Sequence, residues 1–449
     1  MSRHLKIAKL DSFSGRRALK RLEGRSSLVL DRRTLSKAKR IVDKVRRKGD
    51  DALLDFAREL DGATAETVSD LRLRPGAEGD FSAPVSGDGA GSASGWGILP
   101  FGFGDALERA IAMVDSFHRP QVHPGYVQDE MPGVWLEERR QPLRRVGIYV
   151  PGGRASYPST VLMTVIPARL AGVEEIVVAT PPQAYGAMPA LRYTLHRLGV
   201  EEIWGVGGAH AVAALAYGTE AIPRVDKIVG PGNAWVTAAK RLVVGDVAID
   251  GLAGPTEVVV VAQRGSDPQR VAADLLAQAE HDPLAAAVLI TDHRDLAKAV
   301  DRALEEQLPA LATREVAEAS LKRFGVAFVV PGMEAAAEVV DTLAPEHLQL
   351  VGGEAEALAP RIRNAGAIFL GSDTPEVFGD YIAGPSHVLP TCGSARFTSA
   401  LGVEDFIRRS HVVRFSSEAA RLWAGAAATL ADAEGLPAHA ASARRRSSS

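Results

Sequence analysis

The feature that most constrains the fold is a repeated alternation of short β-branched runs with helical stretches. The predicted strands form two series, at residues 145–150, 175–180, 202–204 and 226–230, and then at residues 256–262, 287–291, 326–330 and 367–370. Strands that alternate with helices pair in parallel, with helices on both faces of the sheet. The pattern therefore predicts an α/β protein with two doubly wound parallel-sheet units and small helical N- and C-terminal segments.

Length, charge and cysteine content narrow the possible functions. The chain has 449 residues, enough for two cores, and its formal net charge of -3 provides no basic field for nucleic acid. Cys392 is the only cysteine, so a metal would need His, carboxylate or amide ligands. The sequence has neither an apolar signal core nor an apolar run of about 18 residues, which predicts a cytoplasmic protein without membrane contact.

A polar pair stands at the end of a predicted helix in the second series. Gln278 and His281 are three residues apart, so both side chains leave the same face of the helix. An amide oxygen and an imidazole nitrogen at this spacing could hold one metal ion. By itself the pair is more typical of a polar helix surface, and the metal interpretation depends on other groups.

Further imidazoles and carboxylates stand beside turns or at the ends of elements. They are Glu346, His347, Asp380, His387, Glu434 and His439. Each alone fits a helix surface or a turn. Together with the amide of Gln278, the set favours a metal site with acid–base chemistry nearby.

Two glycine-rich turns follow strands of the first series. Pro151-Gly-Gly153 lies between a strand and an apolar helix, where it could form an anion cradle or an ordinary βα turn. The run from Gly205 to His210 approaches a dinucleotide-binding fingerprint. Because His210 takes the place of the third glycine, that motif is not assigned.

The chain resembles the histidinol dehydrogenase family, whose members are zinc enzymes that complete histidine biosynthesis. The resemblance covers nearly the whole chain and rests on runs in the same order: VGIYVPGGRASYPSTVLM, VGPGNAWVTAAKRLV, AGPTEVVV, AQAEH, APEHLQL, GDYIAGPSHVLPT, ARFTSALGVEDF and AEGLPAHA. It implies Rossmann-like units and two successive NAD-dependent oxidations. These convert L-histidinol to L-histidine through an enzyme-held aldehyde.

The resemblance also implies a metal site and a catalytic pair. The family's zinc ligands, one ion per subunit, fall on Gln278, His281, Asp380 and His439. In the family the substrate completes the zinc coordination with its imidazole and amine nitrogens, so the metal mainly orients the substrate. His347 would take the hydroxyl proton, and Glu346 would activate the water that hydrates the aldehyde.

Substrate and cofactor contacts follow from the same resemblance. The positions that contact substrate are Thr256, Gln278, His281, His347, Asp380, His387, Glu434 and His439. Thr256 stands where many members have Ser, which keeps the hydroxyl and narrows the site slightly. The NAD positions are Tyr149, His210 and Asn233. His210 replaces a frequent Gln, and the effect of this replacement on NAD affinity stays open.

The predicted organisation assigns these residues to parts of the chain. The N-terminal helical segment is 1–30, the first α/β domain with most of the zinc and catalytic site is 31–147 and 257–396, and the NAD-side α/β domain is 148–256. A C-terminal helical arm, 397–449, ends in a disordered tail and reaches a partner subunit in a homodimer with shared sites. The Gly/Ser-rich stretch 75–100 is predicted to be a flexible loop.

Two other functions remain open on the sequence alone. A paralogue that oxidises another small alcohol would keep the metal and the base pair, although it would not need both His387 and Glu434. A zinc hydrolase could use Glu346 with the same metal, although it would not need the two βα units. Dependence of turnover on NAD separates the hydrolase from both dehydrogenases.

Overall fold

The computed structural model describes residues 4–25, 31–74, 99–152 and 157–447. Apart from its last two residues, the predicted loop 75–100 lies outside these ranges, as do the last two residues of the predicted tail. Residues 444–447, the part of that tail within the ranges, form the end of a helix and a turn. Within the described ranges, every helix is too short or too polar to cross a membrane.

The strands and helices are numbered in chain order. The strands are β1 (Lys6–Lys9), β2 (Arg72–Leu73), β3 (Tyr126–Gln128), β4 (Val134–Pro142), β5 (Arg145–Tyr149), β6 (Glu175–Thr180), β7 (Glu202–Gly205), β8 (Lys227–Val229), β9 (Ala248–Ile249), β10 (Glu257–Ala262), β11 (Ala286–Thr291), β12 (Val326–Val329), β13 (His347–Val351), β14 (Ala367–Leu370) and β15 (Ile407–Phe415). The helices are α1 (Phe13–Glu23), α2 (Arg32–Asp61), α3 (Phe103–His118), α4 (Pro158–Ala171), α5 (Pro182–Ala187), α6 (Pro189–Arg197), α7 (Gly208–Tyr217), α8 (Ala234–Val243), α9 (Pro268–Ala279), α10 (Arg294–Gln307), α11 (Arg314–Phe324), α12 (Met333–Leu343), α13 (Gly353–Glu356), α14 (Glu376–Tyr381), α15 (Ser417–Ala433) and α16 (Pro437–Arg444).

The first six-stranded sheet has the order β1-β12-β11-β10-β13-β14, and its neighbouring strands are all parallel. Its central strand β10 is buried on both faces. Val258 and Val260 pack into one hydrophobic core, and Val259 and Val261 pack into another on the opposite side. A strand enclosed in this way requires a continuous β-branched run, because neither of its faces meets water.

The second six-stranded sheet has the order β2-β7-β6-β5-β8-β9. Its pairs are parallel except that of β2 with β7. Helices α2, α7 and α8 share one core with this sheet, and α3, α4 and α6 share the core on its other face. The predicted α/β class with two parallel-sheet units is therefore confirmed.

A three-stranded antiparallel sheet, in the order β15-β4-β3, was not predicted. Strand β15 pairs with β4 along its whole length, from Ile407 opposite Pro142 to Phe415 opposite Val134. Strand β15 is largely exposed and β4 largely half-buried, and both are rich in charged residues, so they lack the apolar periodicity that marks a strand in sequence. The predicted helical arm therefore contains a strand ahead of its two helices.

The N-terminal part also differs from the predicted organisation. The segment 1–30 contains the edge strand β1 before its helix, and β1 is only four residues long, with Ala8 buried. Helix α2, which was grouped with the first domain, packs against the second sheet through its apolar face, including Ala38, Val42 and Val45. Periodicity identifies a buried face, but it does not identify what covers that face.

The strand ends of the two sheets meet at a cavity of about 770 Å³. Thr256 and Glu346, which directly precede β10 and β13, line it from the first sheet. Gly230 and Pro231, which directly follow β8, line it from the second sheet. The amino edge of the first sheet therefore faces the carboxyl edge of the second.

Candidate active site

Glu346 and His347 lie buried at the amino end of β13, beside the start of β10. Glu346 Oε2 accepts hydrogen bonds from Thr256 Oγ1 at 2.5 Å and from the backbone N–H of Glu257 at 3.0 Å. His347 Nδ1 lies 3.2 Å from the carbonyl oxygen of Glu257. Because a carbonyl only accepts, Nδ1 carries a proton in this contact, and Nε2 is left as the proton-accepting nitrogen.

Carboxylates surround this imidazole. Burial lowers the pKa of His347, but the charges of Glu346, Glu376 and Asp380 outweigh burial and raise the pKa above its ordinary value. His347 Nε2 lies 3.8 Å from Asp380 Oδ1. Burial raises the pKa of Glu376 to about 8, although His347 opposes the shift.

Gln278 and His281 lie at the carboxyl end of α9. Gln278 is 1% exposed, and one end of its amide lies 2.6 Å from Thr256 Oγ1. The other end lies 3.2 and 3.1 Å from the two carboxylate oxygens of Glu376. His281 is exposed, and its Nδ1 lies 2.9 Å from the carbonyl oxygen of Ala277, so Nε2 is the ring nitrogen that can meet a ligand.

Asp380 and His387 lie close to His347. His387 Nδ1 is 3.1 Å from the backbone oxygen of Asp380 and 4.0 Å from its Oδ1, and His387 Nε2 is 3.4 Å from Thr160 Oγ1. Burial lowers the pKa of His387, Asp380 opposes this shift, and the charges of His347 and His281 lower the pKa further. The structure thus brings His347, Asp380 and His387 together, with His281 within electrostatic range.

Glu434 and His439 are not brought to this cluster by their own chain. Both are exposed on the hairpin of α15 and α16, whose small core contains Ala428, Ala431 and Ala440. In the described ranges, no hydrogen bond or ion pair joins either side chain to the Glu346–His347 pair. Participation of these two residues therefore requires a second chain or a large movement of the hairpin.

Two predicted cofactor residues lie at the carboxyl edge of the second sheet. Tyr149 Oη accepts a hydrogen bond from the backbone N–H of Gly208 at 3.1 Å, and burial raises the pKa of Tyr149 to about 12. His210 is buried, and its Nε2 lies 2.7 Å from Asp61 Oδ2. The His210 side chain is therefore directed into the protein and towards the end of α2.

Asn233, the third predicted cofactor residue, is the N-cap of α8. Its Oδ1 accepts hydrogen bonds from the backbone N–H groups of Trp235 and Val236 at 3.0 and 3.2 Å. The side chain is exposed, so its amide nitrogen can also meet a ligand. Gly153 of the predicted anion cradle lies outside the described residues.

Sequence reasoning missed three charged residues at the site. Glu257 is the first residue of β10, directly before its valines, and a charge in a strand buried on both faces was a signal that could have been used. Burial raises the pKa of Glu257 to about 7, against the opposing charge of Arg25. Glu376 precedes Asp380 by one helical turn, a spacing that places both carboxylates on one face of α14. No local pattern marks Arg25.

Two further observations bear on cofactor and substrate binding. His387 lines both the cavity between the sheets and a second cavity of about 790 Å³, which His347 and Phe369 also line. In the described part of the chain, no group of three or more His, Cys, Asp or Glu side chains is placed to hold a metal ion. His281 and Asp380 nevertheless carry an imidazole and a carboxylate, which are donor types that zinc accepts, and Gln278 carries an amide oxygen.

The sequence and the structure were compared with known proteins. A sequence model described as "Histidinol dehydrogenase" matches residues 27–447. The histidinol dehydrogenase of Synechococcus sp. is 47% identical over 410 residues, 91% of each chain, and that of Rhizobium meliloti is 47% identical over 402 residues, 90% of this chain and 89% of the relative. The crystal structure of histidinol dehydrogenase from Elizabethkingia anophelis matches with a TM-score of 0.84 and 29% identity, covering 99% of this chain and 98% of that one.

Proposed function

The chain belongs to the histidinol dehydrogenase family, and from this premise we propose how its residues carry out the reaction. It is an NAD-dependent oxidoreductase of histidine biosynthesis, which confirms the predicted resemblance and sets aside the hydrolase. In our proposal it oxidises L-histidinol to L-histidine through L-histidinaldehyde and uses two NAD molecules for each histidinol.

The buried Glu346–His347 pair is the observation that carries the proposal. His347 Nε2 accepts the proton of the substrate hydroxyl, since Nδ1 is already directed at the Glu257 carbonyl at 3.2 Å. Glu346 accepts a proton from the water that adds to the aldehyde before the second oxidation. The hydrogen bonds from Thr256 and from the backbone of Glu257 hold that carboxylate in place. Bound NAD supplies the hydride acceptor for each oxidation.

We propose that Gln278, His281 and Asp380 hold one zinc ion per subunit, with His439 of a second chain as the fourth ligand. When bound, zinc orients the imidazole and amine nitrogens of the substrate. His387, and Glu434 from the same second chain as His439, contact the substrate, together with Thr256 and His347.

The exposed hairpin supports a homodimer. Leu422 and Leu430 on α15 are 78% and 68% exposed, and Leu436 between the helices is 40% exposed. Apolar side chains grouped on a surface are typical of regions that another chain covers. In the proposed dimer, each hairpin covers the site of the other subunit.

The NAD is proposed to lie at the carboxyl edge of the second sheet. Tyr149 and Asn233 border it there. The buried His210 supports the turn at Gly207 and Gly208 from inside the protein. The proposed domain division changes at its amino end. Helix α2, strand β2, helix α3 and the whole of β5 are grouped with the NAD side, because they belong to the second sheet or pack on it, and β1 is grouped with the first sheet. A cytoplasmic location remains part of the proposal.

The experiment separates the roles of the two catalytic residues. Glu346→Gln should slow oxidation of histidinaldehyde more than that of histidinol, because only the aldehyde step needs an activated water. His347→Asn should slow the histidinol step. Turnover of each substrate is read as NADH formed, and the wild-type enzyme should yield two NADH per histidinol.

Each variant serves as the control for the other, because the two residues are neighbours in the chain and are similarly buried. Equal losses on both substrates for Glu346→Gln would contradict its assigned role.

A further inference from the structure

Arg25, which follows α1, is bound to the edge of the active site. Its side chain is 1% exposed, and Nη1 forms an ion pair with the Glu257 carboxylate. Nη2 donates to the carbonyl oxygens of Pro255 and Thr256, both at 3.0 Å, and of Leu284 at 2.8 Å. One guanidinium therefore holds the chain segment that enters β10 and the segment that enters β11.

Glu257 connects this arginine to the catalytic pair. Its backbone N–H donates to Glu346 Oε2 at 3.0 Å, and its carbonyl oxygen lies 3.2 Å from His347 Nδ1. Its carboxylate also accepts a hydrogen bond from the backbone N–H of Cys392 at 2.9 Å. The main chain of one residue thus fixes the orientation of both proposed catalytic side chains.

We propose that Arg25 is a positioning residue for catalysis: its guanidinium fixes the Pro255–Glu257 segment, whose backbone orients Glu346 and His347. The inference rests on the proposed roles of that pair. It adds a contribution from the N-terminal segment, which is distant in sequence from the residues it controls.

The chemistry of the contact explains why an arginine is required. A planar guanidinium donates in several fixed directions at once, whereas a lysine ammonium is a single compact charge and cannot reach a carboxylate and three carbonyl groups together. Removing one partner of a buried ion pair leaves the other charge buried and unpaired, so Arg25 and Arg145 variants should both lose stability. The additional effect expected of Arg25 is on geometry at the start of β10, and displacements of this kind are costly to catalysis.

The test compares Arg25→Lys and Arg25→Met with Arg145→Lys and Arg145→Met. Arg145 is a matched control: it is buried and paired with Glu175 and Glu202, but at the amino edge of the second sheet, away from the site. The full-length enzyme is assayed with histidinol, histidinaldehyde and NAD, and thermal unfolding is followed in parallel.

The Arg25 variants should lower kcat roughly 10- to 100-fold on both substrates, with the KM for NAD little changed. The Arg145 variants should lower the unfolding temperature without this loss of kcat. Arg25 variants that are destabilised like the Arg145 variants but keep wild-type kcat would overturn the proposal. If Arg25→Met does not fold, Arg25→Lys decides the question.

Failure of the proposed function gives a different result. In that case the wild-type enzyme, or its Glu346 and His347 variants, would not show the expected turnover pattern. A wild-type enzyme that behaves as expected, combined with fully active Arg25 variants, would contradict only the role of Arg25.

Discussion

At the scale of single residues, burial decides which side chains are chemically available. Cys392 lies beside the site, where burial raises the pKa of its thiol to about 12 and the charge of Glu257 adds to the shift. Its Sγ lies 3.7 Å from the carbonyl oxygen of Pro255. The thiolate is the reactive form of cysteine, so this thiol should be inert at neutral pH.

We expect Cys392 to resist alkylation in the folded enzyme. At pH 8 a thiol with a pKa near 12 has roughly a thousandth of the thiolate of an ordinary cysteine. Iodoacetamide labelling, followed by mass spectrometry, should therefore be about 10³-fold slower than in the guanidinium-unfolded chain, which serves as the control. Because the chain has one cysteine, the readout is unambiguous. A native rate within tenfold of the unfolded rate would contradict the prediction.

At the scale of single elements, helix α8 begins at Asn233, for which we propose a second function besides capping. Asn233 Oδ1 caps the helix through two backbone N–H groups, and the exposed amide nitrogen is proposed to meet NAD. The two ends of one amide can be separated experimentally, because aspartate keeps the capping oxygen and removes the donor.

Asn233→Ala should cost about 1 kcal/mol of stability, because both capping hydrogen bonds are lost. Asn233→Asp should keep the stability of the wild type but weaken binding of NADH. Thermal unfolding and fluorescence titration of NADH measure the two effects independently. If the Asp variant binds NADH as tightly as the wild type, Asn233 is only a helix cap.

Elements with strong periodicity were predictable from sequence. The buried strand β10 was recognised from its valines. The Glu346–His347 pair was assigned from the family resemblance, because its adjacency alone fits a polar helix surface. Strand β15 was missed, because charged residues dominate its exposed surface. Arg25 was missed because its role depends on contacts more than 200 residues away in sequence, and no local pattern encodes such contacts.

At the scale of the whole molecule, the proposed site is incomplete in a single chain. Asp380 lies 3.8 Å from His347, and Gln278 contacts Thr256 beside Glu346, whereas His439 lies exposed on the hairpin. A two-fold dimer permits the same exchange of hairpins in both directions. The proposal therefore predicts complementation between subunits with different defects.

Mixing His439→Ala with His281→Ala subunits tests the shared site. In a mixed dimer one site carries both defects and the other carries none, so activity should return to about half per heterodimer. Each variant alone, refolded in the same way, is the control. If the hairpin serves its own chain, every site keeps one defect, and mixing should restore no activity.

The two sheet edges that face each other across the cavity also carry different electrostatic fields. Helices α7 and α8 begin at the carboxyl edge of the second sheet, so the positive ends of their dipoles lie there. Helix α9 ends at the amino edge of the first sheet, so its negative end lies beside Gln278 and His281. The backbone alone therefore favours an anionic diphosphate at one end and a metal cation at the other.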